Sequence, residues 1–149
     1  MPSSGGPLRV LVVEDDQLVR TFLRFALERD GMRVDEVENG ADALARVAVE
    51  QYDAVLADGL LPDMHGVVLA DRILDDPRLA RLPLCFLSGA VQGRVPPSAG
   101  LGCLSKPVRP AQLTEQIRAL VAWREQGGST PDERRAALRR LEGGFLVGP

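Results

Sequence analysis

Glu14, Asp15 and Asp16 stand together after an apolar run, Asp58 and Ser88 each follow another, and Lys106-Pro107 follows a fourth. Carboxylates gathered at one place repel and raise one another's pKa unless a cation lies among them. With no histidine or cysteine cluster beside them, such all-oxygen donors suit Mg2+, which keeps several waters and takes one or two carboxylates plus a phosphate oxygen. The implied ligand is a phosphoryl group, with Lys106 as a point charge and Ser88 as a hydrogen-bond donor to its oxygens. Asp58 is the best acceptor, because it alone follows the central strand and a carboxylate can form an acyl phosphate. Taken singly, each residue is an ordinary turn former. Turn chemistry does not account for a lysine-proline pair after the last strand.

These residues share a rim only if the segments before them are strands lying side by side. Residues 8–13 show almost no polar alternation and read as a strand buried on both faces, with helices above and below it. Asp16 is expected to cap a helix whose Leu18, Phe22, Phe25 and Ala26 follow the i, i+4, i+7, i+8 pattern and face inward, with Gly31 closing it. The pattern then repeats: strand 33–37, a helix from about 41, strand 54–57, helix 66–75, strand 84–87, strand 102–104 and helix 109–123. That alternation predicts a doubly wound parallel α/β sheet, whose functional crevice lies at the carboxyl ends of the strands.

One stretch departs from the alternation. Gly93, Pro96, Pro97 and Gly100 oppose a regular helix between 89 and 102, where a loop or single turn is expected. Residues 126–129 read as a hinge, and Thr130-Pro131-Asp132-Glu133 as a capping box opening a final helix to about Glu142. Its Ala137, Leu138 and Leu141, with Phe145 and Leu146 beyond, need a protein surface, either at the helix-depleted stretch or on a second subunit. Arg134, Arg135, Arg139 and Arg140, interspersed with acids, read as a solvated face. The expected organisation is a flexible 1–7, a compact domain over 8–124, and a hinge with a helical extension over 125–149.

Composition narrows the function classes. The chain has 149 residues, 18 basic against 21 acidic, and a net charge of -3, so no broad surface for nucleic-acid phosphates is expected. No apolar run approaches the roughly 20 residues that span a bilayer, and residues 1–7 lack the basic start and apolar stretch of a signal peptide. A cytoplasmic place is expected. Cys85 and Cys103 sit in apolar strand-like surroundings and read as reduced core residues, while His65 reads as a solvated turn residue.

In order, Val12-Val13-Glu14-Asp15-Asp16, Asp58-Gly59-Leu60-Leu61-Pro62 with Gly66, Ser88-Gly89-Ala90 and Lys106-Pro107 resemble the receiver domain of the two-component response-regulator family. The resemblance covers about residues 8–123 and implies a flavodoxin-like, five-stranded parallel sheet of order 2-1-3-4-5. It makes Asp58 the phosphoacceptor and Asp15 the direct Mg2+ ligand, with Glu14 acting mainly through water. Asp58 and the Leu60 carbonyl complete the metal set, Ser88 and Lys106 hold the phosphoryl group, and Lys106-Pro107 is cis. It implies phosphotransfer from a histidine kinase or phosphotransfer protein, followed by self-dephosphorylation, rather than enzymatic turnover of a separate substrate. The apolar Leu60 beside the water path is then expected to slow hydrolysis.

Two departures bear on output. Cys103 stands three positions before the lysine, where the family usually has an aromatic residue, and the family's fourth helix would fall in 89–102, so it is expected to be shortened or absent. Output is expected through an unnamed downstream protein or a homodimer, without direct DNA binding, because 124–149 is too short for a helix-turn-helix module with its own core. The alternative reading keeps the fold but signals by protein contact without phosphorylation. A separate phosphatase is disfavoured: Asp58-Gly59-Leu60 lacks a second aspartate as general acid, and Ser88 lacks the G-x-S-x-G elbow.

Overall fold

A computed structural model describes residues 6–89 and 94–141. The chain runs β1 (Arg9–Val13), α1 (Gln17–Arg29), β2 (Arg33–Val37), α2 (Gly40–Val49), β3 (Ala54–Asp58), α3 (Gly66–Leu74), a 3-10 turn (Pro77–Leu79) and β4 (Leu84–Ser88). It continues through β5 (Arg94–Ser98), β6 (Leu101–Ser105), α4 (Pro110–Glu125) and α5 (Pro131–Leu141). One sheet of order β2-β1-β3-β4-β6-β5 results. All its pairs are parallel except β5 with β6. β3 and β4 are buried throughout, as strands covered on both faces must be. One core layer joins α1 and α4 to the sheet, and the other joins α2, α3 and α5 to its opposite face.

The five parallel strands follow the expected order 2-1-3-4-5, and a sixth is added at the edge. Where a loop or turn was expected, Arg94–Ser98 forms an antiparallel strand. Proline removes a ladder donor, which an edge strand tolerates, and the pairing is irregular between Val95 and Ser98, where Pro96 and Pro97 stand. Ala99 (φ 53°) and Gly100 (φ 73°) supply the two left-handed centres that a two-residue hairpin needs. A Cβ on Gly100 would lie 2.4 Å from the Trp123 ring, so that ring closes over the turn. The described part of the β4-to-β6 connection contains no helix.

α5 covers the sheet face that a crossover helix would otherwise cover. Ala137, Leu138 and Leu141 are buried in the same layer as Ile73, Phe86 and Leu101, and Arg135 pairs with Asp71 of α3 and with its C-cap Asp75. The capping box forms as its spacing predicts: Thr130 Oγ1 accepts from Glu133 N at 3.1 Å, and Glu133 Oε1 accepts from Thr130 N at 2.8 Å. Glu142, Phe145 and Leu146 lie outside the described residues, as do residues 1–5 and 90–93.

Two further sequence expectations need correction. Arg134 is not solvated: it is fully buried, and donates to the carbonyls of Ala80 (2.9 Å), Leu82 (2.7 Å), Ala99 (2.8 Å) and Gly100 (3.2 Å). Its guanidinium lies 4.7 Å from the Trp123 ring centre, and burial lowers its pKa to about 10, so it stays charged. In α1, Leu18, Phe22 and Phe25 face solvent, while Leu23, Ala26 and Leu27 face the core. Val19, Leu23, Ala26 and Leu27 carry the same i, i+4, i+7, i+8 spacing, so the pattern alone does not choose between the two stripes. Ion pairs of Arg20 and Arg24 with Glu36 of β2 accompany the observed rotation.

Replacing Arg134 removes a donor from four carbonyls, those of Leu82 and Gly100 buried and those of Ala80 and Ala99 partly so. Arg134→Ala is expected to lower unfolding free energy by about 2–4 kcal/mol in urea titrations, whereas Arg139→Ala, at an exposed position, stays within about 0.5 kcal/mol.

Candidate functional site

Parallel register decides which residues meet. Val13 is level with Val37 and Ala57, Asp58 with Leu87, and Ser88 with Ser105, so the carboxyl ends of β1, β3, β4 and β6 form one rim. Glu14 N donates to Val37 O at 3.1 Å, which carries the ladder one residue past β1 and holds Glu14 at the sheet top. Asp16 is given over to capping, its Oδ1 accepting from Leu18 N at 2.9 Å and Val19 N at 3.1 Å. Asp58 is the last residue of β3 and Ser88 the last of β4, so each strand runs one residue past the end expected for it.

Glu14, Asp15, Asp58 and Lys106 come together, although Lys106 and Asp58 are 48 residues apart. Lys106 Nζ lies 2.7 Å from Asp58 Oδ2 and 4.0 Å from Glu14 Oε1. Lys106 N donates to Ser88 O at 3.0 Å, and the Lys106-Pro107 bond is cis. Leu60 N donates to Asp58 Oδ1 at 3.1 Å, which places the Leu60 backbone beside the carboxylate, while the residue as a whole is 60% exposed. Ser88 is buried on the neighbouring strand. His65 is the exposed residue before α3. Cys85 and Cys103 are free, buried thiols, pushed up by burial, so both are neutral core residues.

The donor set fits a hard divalent cation. Ligand oxygens of Glu14, Asp15 and Asp58 lie within 4.8 Å of one another, the first and last buried and Asp15 exposed to bulk water. Glu14 Oε2 accepts from Asp16 N at 3.1 Å, but Oε1 is buried without a hydrogen-bond partner. An orphan carboxylate oxygen is costly unless protonated or facing a cation. Burial, and then the charge of Asp58, push the Glu14 pKa up to about 7.

Sequence reading missed Asp63, whose carboxylate accepts from Gly40 N and Ala41 N, both at 2.9 Å, at the start of α2. Its partners lie 22 and 23 residues away, so local spacing gave no sign of this.

The family profile described as response regulator receiver domain matches residues 10–118. CutR of Streptomyces coelicolor, a transcriptional regulatory protein, is 38% identical over 116 residues, covering 76% of this chain and 53% of CutR. The chain thus spans about half the length of that relative. CpdR of Brucella abortus, a response regulator receiver protein, is 33% identical over 118 residues, covering 76% of this chain and 96% of CpdR. Among solved structures, the receiver domain of sensor histidine kinase PA1611 from Pseudomonas aeruginosa PAO1 superposes with a TM-score of 0.69 at 25% identity, over 78% of this chain and 99% of that one. That structure has a magnesium ion coordinated in its active site cleft. A CheY-like receiver domain protein from Methanospirillum hungatei JF-1 gives 0.67 at 25% identity, over 83% of this chain and all of the other. Among the described residues, no helix is long and apolar enough to cross a membrane.

Because the folded protein holds the Glu14 proton up to about pH 7 against an ordinary value of 4.5, it binds more protons than the unfolded chain between those values. Stability without divalent cations is therefore expected to fall as pH rises through that window. Urea unfolding at pH 5 and pH 8 checks this, and Glu14→Gln flattens the difference.

Proposed function

Because this chain belongs to the response regulator receiver domain family, we propose that it accepts a phosphoryl group on Asp58 from the phosphohistidine of a histidine kinase or phosphotransfer protein. The observation that carries this reading is the single rim joining Glu14, Asp15, Asp58 and Lys106 from segments far apart in sequence. Glu14, Asp15, Asp58 and the Leu60 carbonyl are the residues that would hold Mg2+. When bound, that ion neutralises charge on the carboxylates and on the phosphoryl oxygens.

The chain's own residues do the rest. An Asp58 carboxylate oxygen attacks phosphorus, an oxygen–phosphorus bond forms as the phosphorus–nitrogen bond breaks, and the imidazole leaves with its electron pair and takes a proton. Lys106, now on Asp58 Oδ2, pairs with a phosphoryl oxygen, and the Ser88 hydroxyl donates to another. Hydrolysis then places a water oxygen on phosphorus and returns the Asp58 carboxylate, with inorganic phosphate leaving. Positioning and charge neutralisation carry both steps. The chain turns over no separate substrate in this reading.

Residues 8–124 act as the receiver and 125–149 as its extension, in a cytoplasmic signalling role whose output runs through altered protein contacts. Leu18, Phe22 and Phe25, respectively 82%, 42% and 67% exposed, begin two residues after the Asp16 cap and run down one side of α1. An apolar stripe starting at the rim suits a donor protein that must bring a histidine to Asp58. The alternative, contact signalling without phosphorylation, draws on α5 occupying the crossover-helix position.

Intact mass after incubation with acetyl phosphate separates the two readings. A gain of one phosphoryl group is expected only with Mg2+ and is absent in Asp58→Asn, with faster loss of that mass in Leu60→Asn. No gain in the folded native chain favours the alternative. Phe22→Glu is expected to slow transfer from a phosphorylated donor protein about tenfold, roughly the loss of one contact residue worth 1.4 kcal/mol, while the acetyl phosphate rate is unchanged.

A further inference from the structure

We propose that Asp63 is a positioning residue for the metal-binding loop, clipping the β3–α3 connection to the first turn of α2 so that the Leu60 carbonyl is held toward the carboxylate cluster. The inference rests on the reading of Leu60 and the acidic cluster as the metal site.

The loop between Asp58 and Gly66 is closed on itself by a few backbone contacts. Leu61 N donates to Met64 O at 3.0 Å, Gly66 N donates to Gly59 O at 2.8 Å, and Leu60 bridges His65. Gly59 N donates to Leu87 O at 2.7 Å, which ties the loop's start to β4. These bonds shape the loop, yet none ties its tip to the body of the domain. Asp63 does. Its two oxygens each take one backbone N–H of α2, at Gly40 and Ala41, and Met64 beside it packs onto Gly40. A Cβ at Gly40 would lie 2.5 Å from Met64 Sδ, so the flexible Met64 side chain fills the space over this glycine.

Asp63 is not needed to cap α2 locally. Asn39 already does so, its Oδ1 accepting from Asp42 N at 2.8 Å. The first two helical N–H groups go to Asp63 from across the fold, and the next goes to the helix's own cap residue. The two interactions share one helix end, but only one of them reaches the loop that carries Leu60. The helix N-terminus favours a charged oxygen there, and the two backbone bonds hold the Asp63 carboxyl below the usual carboxylate range. A partner that fixes a ligand's orientation without touching the ion typically tunes metal affinity by one to two powers of ten.

The test is Mg2+ binding by isothermal titration calorimetry on the full chain, with amide hydrogen exchange at Gly40 and Ala41 read alongside. Asp63→Ala is expected to weaken Mg2+ about tenfold and to speed exchange at both amides, and Asp63→Asn, which keeps one acceptor oxygen, recovers part of the affinity. In acetyl phosphate reactions Asp63→Ala needs more Mg2+ for half-maximal rate, with the rate at saturating Mg2+ close to native. Asn39→Ala removes the local cap and is expected to lower stability while leaving Mg2+ affinity unchanged. Native affinity in Asp63→Ala, or an equal loss in Asn39→Ala, overturns the positioning role while the metal site stands. A native chain that binds no Mg2+ overturns both readings.

Discussion

The 2.7 Å contact between Lys106 Nζ and Asp58 Oδ2 is the interaction on which the rest of the rim depends. Asp58 ends a buried strand with Glu14 and Asp15 close by, and three carboxylates in so small a volume oppose folding unless a cation offsets them. Lysine supplies that cation from within the chain. The Lys106 side chain is about one-third exposed, so solvent screens the pair and an incoming anion can compete for it. Glu14, farther from the lysine at 4.0 Å and with one oxygen unpartnered, keeps its proton near neutrality instead. The rim thus offsets its own charge internally, and in the proposed function a divalent cation and a phosphoryl group would replace that pairing with their own charges.

Holding that rim requires parallel strands β1, β3, β4 and β6 covered on both faces. On the α1 and α4 face this is met in the ordinary way, by helices contiguous with the strands they cover. On the other face the connection from β4 to β6 contributes an antiparallel edge strand, and α5 comes around from beyond α4 to fill the gap. A buried arginine fastens it. Arg134 gathers carbonyls from the approach to β4 and from the β5–β6 turn, with Trp123 of α4 stacked on its guanidinium. The helix that completes the core therefore follows the receiver in sequence, and any partner that reads this face meets α5 instead of a crossover helix.

The two ends of the sheet are built from different chemistry. At the carboxyl end, charged side chains converge and the β3–α3 loop is clipped to α2 through Asp63. At the amino end, backbone carbonyls converge on one guanidinium. Charge at the amino end is also paired across the fold, Arg124 with Asp53 and Arg9 with Glu50, so there it joins elements that are distant in the chain.

Most of the parallel framework was legible in the sequence because buried strands leave no polar alternation and helix caps are local: Asp16, Thr130 and Glu133 act where spacing places them. The candidate site was legible for a related reason, since residues at strand ends in a parallel sheet must share a rim, and Glu14, Asp15, Asp58 and Lys106 do. The sequence did not reveal which of two equally spaced stripes of α1 faces inward, because that rotation goes with ion pairs to β2. Nor did it reveal that Pro96-Pro97 lies in an edge strand, that Arg134 is enclosed, or that Asp63 caps a helix formed earlier in the chain. Periodicity and capping are properties of neighbours along the chain, so the sequence by itself determined the five parallel strands, the α-helices and the residues of the rim. Helix rotation, edge pairing and the burial of a charge depend on groups brought close only by folding, and those the tertiary structure alone decided.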